Sequence, residues 1–180
     1  MLLLYLLTVS VLAASEHLLL TALLSDAEGR LRFECWQMAE FVKYPTVGMA
    51  VPGGSEVTNL SYVVLPPQSS EGYHRPPHPM FFVLLSGQAH VTIPEHSDDE
   101  LWISEGKNNL MIAADTIGNG HVTEYPSDVS THALQIPFKE GRLPEHTVLH
   151  PGVCNSSIAG VQDEVSQISE LPIAEQLPLK

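Results

Sequence analysis

The sequence predicts an all-β domain, closed as a barrel or paired as a two-sheet jelly roll and entered through a short N-terminal helix or signal segment. Three observations carry this. Fourteen Pro and 12 Gly punctuate the chain and leave short apolar runs of strand length. Alternation is visible in His132-Ala133-Leu134-Gln135-Ile136-Pro137-Phe138, where Leu134, Ile136 and Phe138, with His132 at the start, share one face that the pattern assigns to the core. Finally, 180 residues at 44 % hydrophobic can bury one sizeable core, and an all-β domain of that size has sheet edges to cover, for which a barrel or jelly roll is the usual solution.

The elements follow in chain order. Leu2 to Leu12 is an apolar run followed by the small residues Ala13, Ala14 and Ser15, the pattern of a secretory signal peptide over 1–15. One continuous membrane helix from Leu2 to Leu24 is a poor alternative, because Glu16 and His17 would bring a charge near mid-span. Leu18, Leu19, Ala22 and Leu23 sit at helical spacing, so 16–32 reads as a helical or loose leader ending at Asp26-Ala27-Glu28-Gly29. The compact domain is placed at 33–158. Its expected strands are Val47 to Val51, Leu60 to Leu65, Met80 to Leu85, Ala89 to Ile93, Leu101 to Ser104, Leu110 to Ala113, His121 to Glu124 and His132 to Phe138. Pro66-Pro67, Ser86-Gly87, Gly106-Lys107-Asn108-Asn109 and Gly118-Asn119-Gly120 supply turns. The acidic stretch 159–180, with prolines at 172 and 178, reads as a flexible tail.

Eight basic against 21 acidic side chains give a net charge of −13, which repels phosphate backbones and excludes nucleic-acid binding as a main function. The two cysteines, Cys35 and Cys154, lie near the two ends of the expected domain. Such a pair in an oxidising compartment is a disulfide candidate, worth about 4–5 kcal/mol in the chain-entropy model. Two free buried thiols are the alternative. Sequons at Asn59-Leu60-Ser61 and Asn155-Ser156-Ser157 add glycosylation candidates at Asn59 and Asn155. All three features agree with a protein that is secreted or held in the secretory lumen, with no stable membrane span.

Side chains able to do chemistry concentrate in two segments, 71–91 and 105–121. Imidazole is the common neutral nitrogen ligand of transition metals, and a catalytic site needs about three protein ligands with a position left open. His74, His78 and His121 can supply those three. A straight strand would hold His74 and His78 ~13 Å apart, so Pro76, Pro77 and Pro79 would have to fold the segment back for them to share an ion. Glu124 and Tyr125, just after His121, are candidate acid–base or hydrogen-bonding groups, and Glu71 is another. Each also has a plainer reading as a strand-end carboxylate or rim tyrosine. His90 and His96 flank an expected turn, and His146 and His150 are four apart between prolines; surface placement is the expectation for the first two, and the spacing of the second two is a weak signal. No phosphate-cradling glycine loop or nucleophile elbow is present.

These two segments resemble the paired signatures of the cupin superfamily over roughly residues 47–138. Gly87 stands where the first motif closes and His74 at the spacing of its first histidine, while Gly118 lies three before His121 in the second. Pro76 occupies the second-histidine position, the glutamate position falls near Pro79 or Met80, Thr116 replaces a proline and Tyr125 an asparagine. His78 is a displaced substitute for the missing ligand. The resemblance implies a cupin-type jelly-roll β-barrel, a divalent transition metal (Fe, Cu, Mn, Ni or Zn) and oxidoreductase, dioxygenase, decarboxylase or isomerase chemistry on a small organic molecule, for instance in secondary metabolism. It also implies pairing of two copies through their sheets. Two function classes therefore stand: a secreted metal-dependent enzyme, and a non-catalytic jelly roll that binds or stores a small molecule without metal.

Overall fold

A computed structural model describes residues 17–44, 47–51, 55–94, 99–106 and 108–155. The expected signal peptide and acidic tail, together with His96, lie outside the described residues.

The protein is all-β. Its strands are β1 (His17–Ser25), β2 (Leu31–Glu40), β3 (Val42–Lys43), β4 (Met49–Ala50), β5 (Ser61–Leu65), β6 (Ser69–His74), β7 (Met80–Ser86), β8 (Gln88–Thr92), β9 (Glu100–Ser104), β10 (Leu110–Ala114), β11 (His121–Tyr125), β12 (Thr131–Pro137) and β13 (Thr147–Pro151). A seven-stranded sheet runs β13-β2-β1-β10-β7-β12-β5 and a four-stranded sheet runs β6-β11-β8-β9, with β3 and β4 forming a separate pair. Neither larger sheet closes on itself, so the expected jelly roll takes its two-sheet form, a jelly-roll-like sandwich with open edges at β13, β5, β6 and β9. The chain passes repeatedly between the sheets after β5, which places the turns of the two signature segments at the sandwich rim.

The helical leader expected over 16–32 is not formed. β1 lies inside the large sheet, antiparallel to β2 and parallel to β10, with Leu23 opposite Phe33 and Ala113. Its residues are buried on both faces: Leu23 enters the core between the sheets, whereas Leu20, Ala22 and Leu24 enter a second core on the outer face. A strand covered on both sides needs no polar alternation, so a near-continuous apolar run is what this position requires, and helical spacing arises in it by accident.

The inter-sheet core joins Leu23, Phe33, Met80, Phe82, Leu84, Met111 and Ala113 of the large sheet to Ala89, Val91, Ile103 and Tyr125 of the small one. Outside the large sheet, Trp36, Met38, Ile112 and Phe138 form the second core, and the His146 ring stacks on Trp36 at 3.5 Å between centroids. This outer core also corrects the reading of β12. Thr131 and Ala133 are the buried residues of that strand, while Leu134 and Ile136 are only half-buried on the opposite face. His132 meets the Tyr62 hydroxyl there at 2.8 Å. The alternation was real, but a sheet with apolar cover on both sides cannot be oriented from alternation alone.

Cys35 and Cys154 form a disulfide across a sequence separation of 119 residues. The Cys154 amide also donates to Thr21 Oγ1 at 3.0 Å, so the chain leaving edge strand β13 is fastened to both β1 and β2.

Candidate functional site

A pocket of about 200 Å³ opens where β6 and β11 of the small sheet meet the large sheet. Met80, Phe82, Met111 and Ala113 from the large sheet and Val91 from β8 make its floor; Glu71, His74, Arg75, His121 and Tyr125 bring polar groups to it. Alternation along β11 explains the selection, since His121, Thr123 and Tyr125 are buried and Glu124 is exposed.

The loop between β10 and β11 sets the two histidines side by side. His121 pairs directly with His74 in the β11–β6 register, and their rings meet edge to face at 4.3 Å between centroids. Gly120, at φ +82°, makes this approach feasible: a Cβ there would lie 2.0 Å from the His74 carbonyl oxygen. No other residue type combines that left-handed backbone with so close a contact.

Each imidazole has its Nδ1 engaged. His121 Nδ1 lies 2.7 Å from Asp115 Oδ2, and because an ionised carboxylate only accepts, the imidazole donates and its neutral form is the Nδ1–H tautomer. Asp115 is fully buried at the end of β10, and its Oδ1 has no hydrogen-bond partner. His74 Nδ1 donates to the Gly72 carbonyl at 3.0 Å, and its Nε2 lies 3.3 Å from Glu71 Oε2. The same Glu71 oxygen accepts the Tyr125 hydroxyl at 2.8 Å. Burial, and then the adjacent Glu71 charge, push the Tyr125 phenol well above its ordinary value of 10.0. Tyr125 is therefore a fixed proton donor to Glu71 and not a titrating group at neutral pH.

The sequence-predicted residues are thus only partly assembled. His74, His121, Tyr125 and Glu71 come together at the pocket. His78 does not: it is exposed in the bend before β7 and does not line the pocket, because the prolines turn the chain at the rim instead of folding it back inward. Glu124 points to the outer face of the small sheet, where its carboxylate lies 3.5 Å from His90 Nδ1. Asp115 and Arg75 are the functional candidates that sequence reasoning passed over. A lone acid ending the apolar run of β10 was the available signal for Asp115.

The donor set also bears on the expected metal. Among the described residues, no three or more His, Cys, Asp and Glu side chains form a group that could hold an ion. With His78 exposed and outside the pocket, the expected three-histidine set is not assembled, and His74 and His121 alone do not supply the three protein ligands such a site needs. Among the described residues, no helix is long and apolar enough to cross a membrane.

Fold and pocket together define the class as a disulfide-linked, jelly-roll-like β sandwich with a histidine-lined pocket. No family model, curated protein or solved structure matches the chain.

Proposed function

We propose that the protein binds a small, partly apolar organic molecule in this pocket. The observation that carries the reading is the pairing of a floor of methionine, phenylalanine and alanine with a mouth of histidine, arginine and carboxylate groups. Pockets for drug-sized ligands run to roughly 300–1,000 Å³ and share this division between an apolar lining and a few polar groups. At about 200 Å³, this one suits a smaller guest, with its polar end against His74 and His121. Membership of the cupin superfamily is part of the proposal, supported by His74, Gly87, Gly118 and His121 on an all-β two-sheet fold. Export is part of it too, supported by the disulfide and by the exposed position of Asn59.

Titration of the protein with phenylacetone tests the reading. Saturable shifts of the Met80 and Met111 methyl resonances, lost in Met111→Trp, are the expected result; shifts spread over the surface, or none, would overturn it. Elemental analysis of protein purified without chelator accompanies the titration. One transition-metal ion per chain, lost in both His74→Ala and His121→Ala, would restore the metal-dependent reading in its place.

A further inference from the structure

We infer that His121 is a general base, held in its reactive tautomer by Asp115, for metal-independent proton transfer on a small carbonyl compound. The inference rests on the pocket reading and goes beyond it, from binding to a reaction class. Its starting point is a costly arrangement. Asp115 is fully buried, and one of its oxygens has no partner, although fold stability alone is served as well or better by an apolar pair in such a place. The other Asp115 oxygen bonds the one histidine whose ring both lines the pocket and is itself buried. With Nδ1 held by the carboxylate, Nε2 is the ring nitrogen of His121 that Asp115 does not engage, and in the Nδ1–H tautomer it is the one able to accept a proton. A carboxylate behind an imidazole fixes the ring and offsets the positive charge that forms when Nε2 takes a proton.

The remaining groups define the substrate class. Arg75 brings hydrogen-bond donors to the same mouth, suited to an oxygen that gains negative charge. The apolar floor takes the body of the molecule. In the proposed step, His121 Nε2 removes a proton from the carbon next to a carbonyl, and the C–H electron pair moves toward the carbonyl oxygen to give an enolate. The imidazolium then returns the proton to the same or a neighbouring carbon. Atoms and electrons balance within one molecule, so the outcome is epimerisation or isomerisation and no co-reactant is consumed. Asp115 acts through His121 as a positioning residue.

Nitrobenzisoxazole is a suitable probe. Loss of its ring C–H proton to a base forms a nitrile as the N–O bond breaks, releasing a coloured phenolate. The expected result is saturable turnover at least about 100-fold above free imidazole, lost in His121→Gln and unchanged in His78→Ala. Asp115→Asn is expected to lower kcat by more than about 10-fold with KM within about 2-fold, since a wrong tautomer impairs proton transfer and not binding. Ring-nitrogen NMR of the unmutated protein gives a readout that survives any folding defect of the variants: neutral His121 carries its proton on Nδ1. A proton on Nε2 overturns the inference. So does a rate no better than imidazole when pocket resonances show that the probe is bound, and in that case the binding reading stands. A probe that shifts no pocket resonance overturns the inference, and if phenylacetone shifts none either, the binding reading falls with it.

Discussion

The two faces of the four-stranded sheet carry the same chemical pair in opposite settings. On the inner face His121 meets Asp115 at 2.7 Å, with both side chains almost wholly buried. On the outer face His90 meets Glu100 at 2.8 Å, but the glutamate side chain is 54 % exposed. The His90 ring stacks on a half-exposed Trp102 at 4.0 Å, and Glu124 approaches from the other side. Contact distance does not separate the two pairs. Burial does: water and salt screen the outer pair, while the inner pair has no alternative partner if one member is lost.

The largest expected effect tests that difference directly. Asp115→Ala should destabilise the fold by about 3 kcal/mol in chemical denaturation, because it leaves the buried His121 Nδ1–H without its acceptor, whereas Glu100→Ala should change it by less than about 1 kcal/mol. Similar values for the two variants would break the comparison. Gly120→Ala should cost about 2–3 kcal/mol and perturb the His74 and His121 ring resonances together, because the added methyl group strikes the β6 backbone that positions both.

Tyr125→Phe sharpens the account of the inner face. Removing the hydroxyl should cost about 1.5–3 kcal/mol, since the bond goes to a carboxylate. It also carries a pH signature. A phenol whose folded pKa is raised above the ordinary 10.0 contributes stability that is complete below that value and is lost as pH rises above it. Denaturation midpoints should therefore fall with pH above about 10, and Tyr125→Phe should reduce that fall. The smallest effect is ionic: raising salt from low to physiological strength should shrink the His90–Glu100 coupling measured by a double-mutant cycle and leave the His121–Asp115 coupling nearly unchanged.

Much of the strand layout was legible because its signals are local. β7, β8, β10, β11 and β12 fall within a residue or so of the expected strands, each bounded by Pro, Gly or Asn turns. β6, with the polar sequence Ser69-Ser70-Glu71-Gly72-Tyr73-His74, and the wholly exposed β13 were not legible. Their pairing with β11 and β2 supplies the order that their own residues do not. In the candidate site His74, His121 and Tyr125 stood out by residue type and spacing. Asp115 did not, since nothing in an isolated Asp says that it will be buried behind an imidazole.

Composition and local pattern alone determined that this chain folds as short strands, carries two cysteines suited to a disulfide and presents histidines in two separated segments. Only the tertiary structure decided that β1 is a central strand, that the sheets stay open, and that His121 joins His74 and Asp115 while His78 is left in solvent. The physical reason is that turn chemistry and alternation act over a few residues, whereas burial on two faces and contact between imidazoles depend on which distant strands pair and in what register.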